Sequence, residues 1–89
     1  MSKEIPMDQA LVERCRAGDG RAFAAAVERH LPALLRFARA QCEGELAANE
    51  ILLRAIERAG RELRSCGEAS SALTWLLRAI HQSCSGLRR

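Results

Sequence analysis

Apolar residues recur along this chain at intervals of three and four positions, the period of α-helices that each turn one face toward a core. The pattern predicts a first helix over residues 7–17. Leu11, Val12 and Cys15 fall on its buried face, and Gly18 is expected to end it because glycine readily adopts the left-handed conformation that follows many helices.

The second segment is longer and contains a proline. Asp19 is expected to cap a helix over residues 20–42, since a carboxylate can accept hydrogen bonds from the first free amides. Pro32 falls within it, and a kink or a break is predicted there because proline lacks an amide hydrogen and clashes with the preceding turn.

Two further helices complete the pattern. The third is predicted over residues 46–63, and the fourth begins after Ser70 or Ser71 and frays over residues 86–89. No strand pattern or repeat is evident, so the fold class predicted is all-α, a four-helix bundle forming one domain over residues 1–89. The expected core comprises Phe23, Val27, Leu34, Ile51, Leu52, Ile56, Trp75, Leu76 and Ile80.

Composition supports this prediction. Hydrophobic residues make up 48% of the 89 residues but aromatic ones only 3%, so alanine and leucine dominate, as in closely packed helices. No apolar run is long enough to span a membrane and the N-terminus lacks a signal-peptide core, so no membrane partner and a cytoplasmic location are expected.

The chain shows no arrangement typical of an enzyme or a metalloprotein. Its four cysteines include no C-x-x-C pair, and His30 and His81 have no matching carboxylate spacing for catalysis. We therefore expect no enzymatic activity, no catalytic or metal-binding residues and no cofactor. The cysteines are interpreted as free thiols, mostly acting as small apolar residues.

Charge distribution points toward an anionic partner without requiring one. The net charge is +3, and residues 69–89 contain three arginines but no acidic residue. Within that segment lies Trp75, the only tryptophan. A tryptophan between leucines at helical spacing is expected in the core, while holding a separated DNA strand is the alternative.

Several short segments, in the same order and spacing, resemble one family. They are Leu11-Val12-Glu13-Arg14, Ala17-Gly18-Asp19, Val27-Glu28-Arg29-His30, Glu50-Ile51-Leu52 and Thr74-Trp75-Leu76-Leu77-Arg78. Together they are similar to region 2 of the extracytoplasmic-function sigma factors, a branch of the sigma-70 family, and the similarity covers nearly the whole chain.

The resemblance implies a role in transcription initiation and its regulation. In the family, the third helix docks on the clamp helices of the largest subunit of core RNA polymerase, here through Glu50, Leu53, Arg54 and Glu57. The loop before the fourth helix, and that helix itself, capture the promoter −10 element as single-stranded DNA. The DNA-binding residues implied are Gly67, Glu68, Ser70, Ser71, Arg78, Gln82, Arg88 and Arg89.

The chain also departs from the family pattern. The docking motif usually contains a glutamine followed by an acidic residue, and here Leu53 and Arg54 occupy those places. The 89 residues leave no room for the family's −35-reading, region 4-like domain. Two alternatives therefore stay open: a degenerate sigma-like module that binds polymerase or an anti-sigma factor without reading promoters, and a structural bundle that oligomerises through an apolar face.

Overall fold

Four α-helices form the architecture, as the apolar period predicts. The computed structural model describes residues 7–69 and 71–87, with side chains through residue 84. The helices are α1 at Met7–Arg16, α2 at Gly20–Gln41, α3 at Glu45–Arg61 and α4 at Ala72–Leu87, and a 3₁₀ turn at Leu63–Cys66 precedes α4. Over the described ranges there is no strand, and the all-α prediction is confirmed.

The junction between α1 and α2 forms as the sequence predicts. Gly18 adopts a φ of +94°, which few other residues tolerate, and the chain leaves α1 there. The Asp19 carboxylate then accepts hydrogen bonds from the amides of Arg21 and Ala22 at 2.9 and 3.3 Å. Arg14 holds the same carboxylate at 2.9 Å, so one aspartate connects the end of α1 to the start of α2.

The predicted break at Pro32 is wrong, because α2 runs through the proline without interruption. Proline removes the amide that would bond to the carbonyl of Glu28. Both residues are exposed, so water can hydrate that carbonyl and the missing hydrogen bond is tolerated. A kink without a break stays a prediction.

The third helix ends earlier than predicted, at Arg61 rather than Leu63. Glu62 has φ −130° and ψ 72°, outside the helical region, and the 3₁₀ turn follows. This change of direction brings Cys66 into the core with none of its surface exposed, and the turn contacts α1. Tertiary burial of Cys66 therefore overrides the helical period that continues to Leu63 in the sequence.

The core combines seven alanines on the inner faces of the helices with larger apolar side chains and three cysteines. Six of the nine predicted core residues are buried, while Phe23, Val27 and Ile56 are half-buried and pack against the core at its margin. The alanines allow the helices to approach closely around the largest buried side chains, which are Trp75, Leu34, Leu76 and Ile80. The buried set is Leu11, Val12, Cys15, Ala22, Ala26, Leu34, Ala38, Ala48, Ile51, Leu52, Ala55, Ala59, Cys66, Ala72, Trp75, Leu76, Ile80 and Cys84.

The last two long helices run antiparallel. Trp75, in the first turn of α4, lies beside Glu62 at the end of α3, and Cys84 lies beside Ile51 farther back along α3. Their outer edges therefore form one continuous surface. Across the described residues, no helix is long and apolar enough to cross a membrane.

Candidate nucleic-acid and polymerase interface

The loop formed by residues 67–71 is held in place by α1. The Arg16 guanidinium donates to the carbonyl oxygens of Gly67 and Ala69 at 2.8 and 3.1 Å. Gly67 has a φ of +56°, which turns the chain out of the 3₁₀ turn. Two hydrogen bonds from one planar side chain therefore hold the backbone of residues 67 and 69 against α1.

The start of α4 is capped from two directions. The Ser71 hydroxyl accepts from the amide of Thr74 at 3.0 Å, so Ser71 caps this helix, as one of the two predicted alternatives had it. The Asp8 carboxylate of α1 accepts from the amide of Leu73 at 3.0 Å. Asp8 is also paired with His30 of α2, so three helices meet at this point.

The environment of Asp8 favours its charged form. Burial raises the pKa of this carboxyl, but the hydrogen bonds from His30, the Leu73 amide and Ser71, together with the His30 charge, hold the pKa below its usual value. An anionic carboxylate at the N-terminus of α4 also interacts favourably with the helix dipole. The site is therefore a charged tertiary cap.

Trp75 belongs to the core. Its side chain is 2% exposed, and the indole Nε1 donates to the Ser65 hydroxyl at 3.3 Å. Its ring lies 5.6 Å from that of Phe23, at an angle of 59°. The expectation that Trp75 is buried is confirmed, and its ring face is not exposed for stacking on a base.

The exposed side of α4 contains the polar residues expected to contact DNA. Arg78 is exposed and donates to the Cys66 carbonyl at the end of the 3₁₀ turn, at 3.3 Å. Gln82 is exposed one turn farther along the helix, and Glu68 is exposed in the loop. The other predicted contacts, Ser70, Arg88 and Arg89, lie outside the described residues.

The predicted polymerase-binding residues lie on the outer face of α3. Glu50, Leu53, Arg54 and Glu57 are all exposed there, and Leu53 has 60% of its surface exposed. Glu50 and Arg54 form an ion pair at 3.0 Å. One heptad before Leu53, Leu46 is 86% exposed, so the same face presents two leucines that the bundle does not cover.

Two adjoining cavities follow the line between α3 and α4. The larger, about 550 Å³, extends along Arg54, Glu57, Arg61 and Ser83. The smaller, about 360 Å³, extends toward Ser65, Trp75 and Arg78. We call the two together the α3–α4 groove, and the residues common to both are Arg58, Glu62 and Gln82.

The groove brings together residues that the sequence assigned to separate partners. Arg54 and Glu57, expected to bind polymerase, line the same surface as Gln82, expected to bind DNA. Sequence reasoning missed Arg58 and Glu62. Arg58 follows Arg54 by one helical turn, so the spacing was a usable signal. For Arg16 and Asp8, which act on residues more than fifty positions away, no local signal exists.

The cysteines are largely withdrawn from solvent. Cys15, Cys66 and Cys84 are buried and Cys42 is half-buried, with no disulfide among them. Burial, with the nearby Cys66 thiol, raises the pKa of Cys15 to about 11. Within the described ranges, no three histidine, cysteine or acidic side chains are grouped as a metal ion would require.

Comparison with known proteins leaves the chain without an assigned family. No family profile, no curated protein and no solved structure matches it significantly.

Proposed function

We propose that this protein is a sigma factor region 2-like transcription module, which acts in the cytoplasm and binds core RNA polymerase and the melted −10 strand of a promoter. The observation that supports this most is that Arg16 of α1 holds residues 67 and 69 of the loop before α4, a helix with no acidic residue. Preordered backbone lowers the cost of binding a separated strand, and a helix without acidic side chains does not repel its phosphates.

The contacts to DNA would come from the loop and the exposed side of α4. Arg78 neutralises a phosphate, and Gln82 hydrogen-bonds a base edge or a sugar. Arg88 and Arg89 follow in the sequence and add positive charge. The Glu68 carboxylate in the loop opposes phosphates, so the isolated protein binds weakly and depends on polymerase for promoter affinity.

A second function is favoured by the outer face of α3. Leu46 and Leu53 are exposed, and Arg54 replaces the acid of the family pattern. A module that binds polymerase or an anti-sigma factor through these leucines would need no DNA contact. Under this alternative the 67–71 loop serves only as a connection between helices.

Fluorescence anisotropy with a labelled single-stranded oligonucleotide at low salt tests the proposal. With about three phosphate contacts, we expect micromolar or weaker binding and a log–log salt slope near −2. Replacing Arg78 with Ala should flatten that slope by about 0.7. If no binding occurs even at high protein concentration, the promoter-strand function is excluded, and a polymerase pull-down then tests the partner-binding alternative.

A further inference from the structure

Some charged side chains that line the α3–α4 groove have no ionic or hydrogen-bonding partner among the described residues. Arg54 and Arg61 are engaged in ion pairs with Glu50 and Glu57 at 3.0 and 3.6 Å. Arg58, by contrast, makes no side-chain hydrogen bond or ion pair with any described residue, although it lines both cavities.

A second guanidinium faces the smaller cavity from the opposite helix. Arg78 uses one nitrogen to donate to the Cys66 carbonyl, and its remaining donors have no described partner. Two arginines, one on α3 and one on α4, therefore line the same cavity, which has a volume of about 360 Å³. Paired guanidiniums on either side of a cleft are well suited to a phosphate.

The cavity is also lined by an acidic side chain, which would repel a ligand that consisted of phosphate alone. Glu62 lines both cavities and forms no ion pair among the described residues. A carboxylate repels a phosphate but accepts hydrogen bonds from the exocyclic amino group of a base, as it does with the N4 amino group of cytosine. Together with the neutral amide of Gln82, the groove combines donors for a phosphate with an acceptor for an amino group.

We infer that the α3–α4 groove binds one nucleotide unit of a single strand, with Arg58 and Arg78 on its phosphate and Glu62 on the amino group of its base. The inference rests on the proposed function and extends it, because it adds Arg58 and Glu62 to the DNA-binding surface. It predicts a preference for amino-bearing bases over thymine, which has no exocyclic amino group.

The test compares the binding of oligo(dC) and oligo(dT) of equal length at neutral pH and low salt. The parent protein should bind oligo(dC) about tenfold more tightly, at the low end of the range for one hydrogen bond to a charged acceptor. Replacing Glu62 with Ala should bring the two affinities together. Replacing Glu28 with Ala, which removes an equal charge from the exposed surface of α2, should keep the preference.

The phosphate contact is tested with a matched pair of arginines. Replacing Arg58 with Ala should weaken the binding of both oligonucleotides and flatten the salt slope by less than the roughly 0.7 of a full phosphate contact, because Arg78 still contacts the same phosphate. Replacing Arg36 with Ala serves as the control, because Arg36 is an exposed arginine of α2 that lines neither cavity. This change should leave the salt slope of binding unchanged. The side chains replaced in these four variants are all exposed: Glu28, Arg36, Arg58 and Glu62. Circular dichroism of each variant checks that the fold is retained.

The possible results distinguish the nucleotide site in the groove from the strand binding of the proposed function. If the parent binds oligonucleotides but the Arg58 variant behaves like the Arg36 variant, the groove site is excluded and strand binding by the loop stands. If the parent binds neither oligonucleotide, both are excluded. If an acidic peptide binds instead, and only that binding depends on Arg58, the groove is a peptide site and the nucleotide assignment is overturned.

Discussion

Gly60 allows α2 and α3 to approach each other through the absence of a single side chain. A Cβ atom built at this position would lie 2.9 Å from Cε2 of Phe23, closer than real contacts of this kind. The Phe23 ring in turn lies against Trp75. The glycine within α3 therefore lowers helix propensity locally but permits an aromatic contact that links α2 to α4.

Replacing Gly60 with Ala should therefore change the free energy of unfolding in a way that depends on Phe23. In the parent, displacing the Phe23 ring should cost more free energy than the gain in helix propensity, which is about 1 kcal/mol. With Phe23 already replaced by Ala, the clash is absent and Gly60→Ala should stabilise. Urea unfolding of the four proteins measures this coupling, and equal effects in both backgrounds would contradict it.

The cysteines should differ in reactivity in the native state. The thiol of Cys15 is fully buried and has a pKa raised to about 11, so few thiolates form at neutral pH. Cys42 is half-buried and should be alkylated first. Mass spectrometry after brief treatment with iodoacetamide should find the label on Cys42, and labelling of Cys15 should require denaturant. Early modification of Cys15 would show that α1 opens readily.

At the scale of elements, the start of α4 depends on a helix from the other end of the chain. Its own Ser71 supplies one cap, and Asp8 of α1 supplies a second through the amide of Leu73. The first turn of a helix leaves its amides without partners, so these two acceptors stabilise α4 where it meets the 67–71 loop.

This cap should make stability depend on acid pH. The pKa of Asp8 in the folded protein is below its ordinary value of 3.8. The stabilisation that its carboxylate gives the fold is therefore fully present above pH 3.8. It is lost as the pH falls from 3.8 through the lower folded pKa. Asp8→Asn should destabilise the protein at neutral pH and reduce the loss of stability in that acid window.

Urea unfolding at several acid pH values and at neutral pH measures this dependence. Glu13→Gln, on the exposed side of the same helix, serves as the control, and its acid dependence should match that of the parent. An unchanged profile for Asp8→Asn would show that the carboxylate does not stabilise the fold.

The elements show which structural features a sequence reveals. Helix positions and the Asp19 cap follow from local patterns, because each depends on residues within a turn of one another. The end of α3 does not, since the burial of Cys66 against α1 decides it. The candidate site divides in the same way: the exposed residues of α3 follow from its period, whereas the Arg16 contacts to the loop depend on the assembled bundle.

Across the whole molecule, α3 presents two different surfaces at once. One edge lines the α3–α4 groove with arginines, and the outer face exposes Leu46 and Leu53. Because both surfaces belong to one rigid helix, a protein docked on the leucines and a strand in the groove would be held in a fixed relative orientation. This geometry suits a module that positions DNA on a large partner.

Restoring the family pattern on α3 should strengthen binding to polymerase. The double substitution Leu53→Gln and Arg54→Glu places an amide and an acid where the resembling family has them, and the fold should persist because both residues are exposed. More core polymerase should be retained on the immobilised variant than on the parent. A matched exchange on α2, Leu31→Gln with Arg36→Glu, should give no gain. Equal retention by parent and variant would count against this docking face.

The contacts from α1 to residues 67, 69 and 73 also constrain the order of events while the chain is being synthesised. An isolated helix of ten residues is unstable in water, so α1 is not expected to persist alone when it emerges from the ribosome. The groups it binds lie more than fifty positions farther along the chain and are therefore synthesised later. These contacts of α1 therefore form only after residues 67, 69 and 73 have emerged, whereas its contacts with α2 can form earlier.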